Sequence, residues 1–249
     1  MSESGAGRRR ALVLRLAAEF VVIVVGVLVA LGVDAWTDER DAKVREVELL
    51  ESLASDLRGS LATLEGDNAF TLDRVATLEW FLRFPTDSAR FPEDSIASLG
   101  RAANWTSAYY PTLRTFETMI ATGTFDLISN AEVRLALADI RFQTQLYTDY
   151  RAQATQQWND TYSVTWHQFM GVPRLPDAGP ASAPNPPPAS SVNDALRDDF
   201  FRAVIDRRRI FLWYVADNGE ALVETMREAL ALIETELALR GSSEAGNGE

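Results

Sequence analysis

The chain has 249 residues, 47% of them apolar and 24% charged, a composition that supports a packed core and excludes a disordered chain. Acids outnumber bases 36 to 24, and the formal net charge of −12 excludes a general nucleic-acid binder, which needs a basic face to displace counterions. With no cysteine there are no disulfides, thiolate metal sites or cysteine catalysis, and a single histidine, His167, excludes any site built on two imidazoles.

The N-terminus departs from this average. Residues 1–18 set Glu3 against Arg8, Arg9, Arg10 and Arg15, a local charge of +3 on an otherwise acidic chain. Phe20 to Val33 then gives fourteen uninterrupted apolar or glycine residues. As helix these reach only ~21 Å of a hydrocarbon core roughly 30 Å thick. Extended back through Ala11–Ala18, where Arg15 is the one charge and can snorkel to the headgroups, the stretch becomes long enough to span. A transmembrane helix over 13–35 is therefore expected, behind a basic cytoplasmic tail over 1–12, with Trp36 as the aromatic anchor at the far interface. A signal peptide cut before Trp36 is the competing reading. Glu19 lies about one turn inside the cytoplasmic boundary, and helical geometry puts Gly26 and Ala30 on its face. Small residues beside a polar group suit close packing of one membrane helix on another, in a homo-oligomer or with a partner membrane protein, the rest of the segment facing membrane lipid.

Past the apolar run, heptad spacing places Leu50, Leu57, Leu64, Thr71 and Leu78 on one line and Ala54, Leu61, Asn68, Val75 and Leu82 on the next. This seam predicts that the first helix continues to about Phe84, where Pro85 ends it, with Asn68 and Thr71 fixing register. Residues 85–112 read as a connecting segment holding one short amphipathic piece, Glu93–Ala103. A helix over Thr112–Ala121 follows, closed by Gly123, and Ser129 or Asn130 caps a long helix running to about Phe169. Its expected buried stripe is Val133, Leu137, Ile140, Tyr147, Ala154, Trp158, Tyr162, Trp166 and Phe169. Residues 171–191 hold seven prolines and form an extended loop. Asn193 or Asp194 then caps a last helix with a stripe that includes Leu196, Phe200, Val204, Phe211, Tyr214, Leu222, Met226 and Ile233, and Asn218-Gly219 marks a kink. The polar tail over 241–249 is expected to be disordered. The fold class is thus all-α, an N-terminal transmembrane helix continuing into an elongated antiparallel helical bundle over 36–240.

Two stretches carry a resemblance. Glu19–Arg40 (EFVVIVVGVLVALGVDAWTDER) and Thr115–Leu137 (TFETMIATGTFDLISNAEVRLAL) resemble the conserved opening and a central helix start of a family of uncharacterised bacterial single-pass membrane proteins. The resemblance implies a helix-rich protein of the bacterial inner (plasma) membrane with no established activity to carry over. Gly32 departs from the family, whose members often have a larger polar residue such as Gln there.

No phosphate-binding glycine loop, metalloprotease helix, calcium loop or nucleophile elbow occurs, so no catalytic, cofactor-binding or metal-binding residues are assigned, and a non-enzymatic protein acting by protein contacts is expected. The alternative is an extracytoplasmic sensor, because Trp158, Tyr162 and Trp166 at helical spacing could line a pocket for a flat ligand. Arg207–Arg209 reads as a solvated basic face balanced by Asp198, Asp199 and Asp206. Arg134 is expected to pair with Glu117 or Asp126 at the Gly123 corner.

Overall fold

The computed structural model describes residues 4–84, 93–104, 111–162, 194 and 197–246, the side chains of 4–19, 21–23, 93–97, 104, 162 and 242–246 excepted. Among the described residues all regular structure is helical: α1 (Ser4–Arg83), α2 (Glu93–Asn104), α3 (Arg114–Thr122), a 3₁₀ turn (Phe125–Leu127), α4 (Ala131–Gln157) with a π-helical turn (Trp158–Tyr162) at its end, and α5 (Asp199–Gly246). The chain divides into two compact units, Met1–Glu51 and Ser52–Glu249.

In the first unit α1 is exposed from Val24 to Arg40. Among the described residues no helix is long and apolar enough to cross a membrane. The side chains outside the description include ten of the twenty-three residues of the expected span over 13–35. Trp36 is 63% exposed, with the Arg40 guanidinium 5.9 Å from its ring centre. One turn on, Lys43 donates to Glu39 at 2.8 Å, and that hydrogen bond with its ion pair holds the Glu39 carboxyl below its ordinary value.

The second unit is built on three long helices. Contacts between α1 and α5 run in opposite senses along the two helices: Arg58 to Glu234 at 2.6 Å, Glu65 to Arg227 at 2.8 Å, and the Leu82 carbonyl to Arg202 at 2.6 Å. α4 is also antiparallel to α5, with Asn130 on Glu236 at 2.7 Å at one end and the Ala154 carbonyl on Arg208 at 2.7 Å at the other. Both being antiparallel to α5, α1 and α4 run parallel, so the bundle is antiparallel in two of its three long pairings. A parallel pair needs a return crossover, and the segment from 84 to 130 supplies it. α2 buries Leu99, Ala102 and Ala103 against Val75, Leu78, Phe81, Phe201, Val204 and Ile205. α3 starts a further stretch back along α1, where Asp56 accepts from the Thr115 amide at 2.8 Å and Ser60 donates to the Thr112 carbonyl at 3.2 Å. Leu113, the residue before α3, makes no side-chain cap, and Asp56 provides from another helix the acceptor that such helix starts need.

The α1 seam follows the heptad lines: Ala54, Leu57, Leu61, Leu64, Asn68, Thr71, Val75 and Leu78 are buried, and Leu82 is packed against the core. Gly123 adopts the left-handed conformation at φ 71° that ends α3. Asn130 caps α4 by accepting from the Glu132 and Val133 amides at 2.9 and 3.4 Å. Three expectations need correction. The cap of α5 is Asp198, whose carboxylate accepts from the Phe201 amide at 2.9 Å, and not Asp194, while Asn193 and Leu196 lie outside the described residues. Phe200 and Tyr214 of the expected α5 stripe are exposed, while its Val204, Leu222, Met226 and Ile233 are buried together with Phe201, Ile205, Arg208, Leu212, Val215, Gly219 and Val223. α5 also passes Gly241, where the polar composition predicts its end, and continues to Gly246.

Candidate functional site

The interior of the second unit holds a polar centre where α1, α4 and α5 meet. Arg151, 4% exposed, reaches Asp67 at 3.2 Å and the Tyr147 hydroxyl at 2.8 Å, and that hydroxyl donates to the same Asp67 oxygen at 3.0 Å. The guanidinium also lies 5.3 Å from the Tyr147 ring centre. The i, i+4 spacing of Tyr147 and Arg151 stacks the two side chains on one face of α4, which is why one carboxylate can serve both. Burial pushes the Tyr147 hydroxyl well above the ordinary tyrosine range, with Arg151 opposing and Asp67 reinforcing the shift, so it stays a neutral donor.

Beside this triad the Asn68 side chain fills the space left by Gly219 on α5. A β-carbon at Gly219 would stand 2.7 Å from Asn68 Oδ1 and 3.2 Å from Tyr147 Cε2, so the two helices touch there only because one carries no side chain. Asn68 Oδ1 is buried without a hydrogen-bond partner, as are both amide atoms of Gln157. Toward the end of α4, Arg208 is completely buried and donates to the carbonyls of Ala103 and Ala154 at 3.3 and 2.7 Å, its guanidinium 5.4 Å from the Trp158 ring centre. A buried cation there complements the negative carbonyl ends of α2 and α4, and at α4 it shares the Ala154 carbonyl with the Trp158 amide.

Chemically this is a clamp. Its acid, phenol and guanidinium are committed to one another, and the burial that raises the tyrosine keeps solvent away. Among the described residues no group of three or more His, Asp or Glu side chains could hold a metal ion.

The expected site residues fall as follows. Trp158 is half-buried and packs against the core cluster around Phe201 and Ile205, as a wall of the core. The Tyr162 side chain, Trp166 and His167 lie outside the described residues. Gly26 and Ala30 are on the exposed part of α1, and a β-carbon at Gly26 would meet nothing within 4 Å. The side chains of Glu19 and Arg15 are outside the description, and Trp36 is exposed. Arg134 forms no ion pair with Glu117 or Asp126; it donates to the carbonyls of Ile128 and Ser129, which fixes the corner through the backbone. The basic run splits three ways: Arg209 pairs with Asp206 and Glu79 at 2.8 and 3.4 Å, Arg207 lies over Phe211, and Arg208 is the buried clamp.

Asp67, Arg151, Arg208 and Gly219 escape a reading based on apolar periodicity, since each is a charge or a glycine on a line of buried positions. Their signal is position: Arg151 sits between Tyr147 and Ala154 on the α4 stripe, and Asp67 adjoins the Asn68 interruption of the seam. No family model, curated protein or solved structure matches this chain, so the resemblance carried by residues 19–40 and 115–137 rests on those residues alone.

Proposed function

We propose that this chain is a non-enzymatic, single-pass protein of the bacterial inner membrane, its N-terminus cytoplasmic and its helical domain beyond the membrane, acting through protein contacts. The observation that carries the reading is the exposed segment of α1, where Val24, Val25, Val27, Leu28, Val29, Leu31 and Val33 all stand open. At about 100° per residue these side chains wrap the helix on every side except one. An amphipathic helix awaiting a single protein groove would show one apolar stripe; a helix apolar nearly all round asks for an apolar solvent. The uncovered sector contains Gly26 and Ala30, with Glu19 on the same line, and there a second membrane helix can approach closely. Thr37, further along that line, spends its hydroxyl on the Val33 carbonyl at 2.9 Å, which removes a polar group from the interface end. In the helical domain the buried polar side chains are used to lock helices together, which favours a binding or scaffolding role.

Alkaline carbonate extraction of membranes from cells expressing the full chain tests the tether. Retention in the membrane pellet, with an intact mass that includes residues 13–35, is expected. Release into the supernatant, or a mature chain starting at Trp36, overturns it. Gly26→Leu is expected to cost recovery of whatever membrane protein copurifies, without releasing the chain from lipid.

A further inference from the structure

A second contact surface lies on the outer side of α4, about half a turn from its buried stripe. Ala131, Leu135, Ala138, Phe142 and Gln145 are all exposed and recur at alternating spacings of four and three residues. Leu135 and Phe142, 65% and 62% exposed, are large apolar side chains that α4 leaves open. In heptad terms Leu135 and Phe142 occupy one seam position, a, and Ala131, Ala138 and Gln145 the other, d. The flanks differ in sign: Arg134 and Arg141 border one side of the seam, Glu132 and Asp139 the other.

We propose that this seam binds a second copy of the same chain, with the two α4 helices parallel and in register. The flanking charges select both the partner and the direction. In a parallel pair the basic flank of each helix faces the acidic flank of the other, and Arg134 comes opposite Asp139 of the second copy, five residues on. An antiparallel pair would set the basic flanks against each other. Asp139 and Arg141 make no ion pair among the described residues, and Arg134 uses one nitrogen on the Ile128 and Ser129 carbonyls, keeping further donors for a partner. The alanines at the d positions let the helices approach while Leu135 and Phe142 fill the space between them. The contact stops at Asp149, whose carboxylate would face its own counterpart and which is held back by Gln145 at 2.8 Å. Two heptads are fewer than a standard interface provides, so the pair is weak in free solution and gains from confinement to one membrane. In that respect it rests on the proposed tether, while the seam itself does not.

The chain has no cysteine, so one introduced thiol reports a single position. Ala138→Cys brings two β-carbons together across a parallel in-register seam, within the reach of a disulfide. Under mild copper-catalysed oxidation of membranes it is expected to give disulfide-linked dimer about tenfold faster than Ala221→Cys, an exposed control on α5. Phe142→Glu should abolish the difference with unchanged far-UV circular dichroism, since the ring it replaces is exposed. Asp139→Arg should slow crosslinking by about two- to fivefold, the worth of a surface ion pair. Equal rates for the two cysteines, crosslinking that survives Phe142→Glu, or capture of a different protein by Cys-substituted position 138 would each overturn the proposal. Repeating the experiment on concentrated detergent-solubilised chain separates the two ideas: carbonate extraction alone judges the tether, and the solution crosslink alone judges the seam.

Discussion

Replacing Gly219 by alanine probes the contact of the three long helices at its closest point. In a helix interior the change ordinarily stabilises by about 1 kcal/mol, because alanine loses less backbone freedom on folding. Here the new methyl would lie 2.7 Å from Asn68 Oδ1, 3.1 Å from Asn68 Cγ and 3.2 Å from Tyr147 Cε2. The first distance is shorter than van der Waals contact by more than half an ångström on the order of carbon–oxygen radii. The Asn68 amide can turn only within a buried space, and the Tyr147 ring is held by Asp67 and Arg151 through its hydroxyl. Overpacking of this kind costs about 1–3 kcal/mol, which cancels the usual gain and leaves Gly219→Ala destabilised by up to a net ~2 kcal/mol. Gly59 and Gly66 on α1 supply the controls, since a β-carbon at either meets nothing within 4 Å and each should gain rather than lose stability. Urea unfolding in a fixed detergent, followed by far-UV circular dichroism, reads the midpoint shift at constant slope. In an Asn68→Ala background the penalty at position 219 should shrink toward zero. A Gly219→Ala chain as stabilised as Gly59→Ala would refute the packing argument, as would an undiminished penalty once Asn68 is gone.

Asp67→Asn should cost about 3 kcal/mol or more in the same unfolding experiment, because it removes the carboxylate that the buried Arg151 guanidinium and the Tyr147 hydroxyl share; a loss below 1 kcal/mol on that scale would refute a leading role for this ion pair. Tyr147 sets the alkaline limit. Its hydroxyl titrates higher in the folded chain than the ordinary value of 10.0, so the unfolded chain releases that proton first and stability, full below pH 10, falls as pH rises above it. Tyr147→Phe should remove that part of the decline, and an unchanged slope would assign it to other groups.

The elements most legible in the sequence are those that local chemistry decides. Proline at 85, glycine at 123 and asparagine at 130 set boundaries that the structure keeps, because each acts through its own backbone or the next turn. The α1 seam was legible for the same reason, its heptad lines being long enough to be read without knowing the partner. What failed was non-local. Asp56 caps α3 across 59 residues, and no signal near residue 115 announces it. Among the described residues Arg208 is one of the largest fully buried side chains, yet as the middle of three arginines it looks like solvated surface. Its burial depends on two carbonyl ends arriving from α2 and α4, which only the assembled bundle provides. The α5 stripe is kept at Val204, Leu222, Met226 and Ile233 and missed at Phe200 and Tyr214, and its charged and glycine members, Arg208 and Gly219, are invisible to a count of apolar residues.

The pairing of α1 with α5 has a consequence for biosynthesis. Their contacts join residues 120 to 176 positions apart, so the seam of the first helix lacks the last part of its cover until nearly the whole chain has left the ribosome. Local helices can form early, but closing so large a loop is a late step. During that interval a nascent chain presents part of a row of leucines to its surroundings, and the tether proposed above would keep such chains apart from the bulk of aggregating partners while they wait for the last helix.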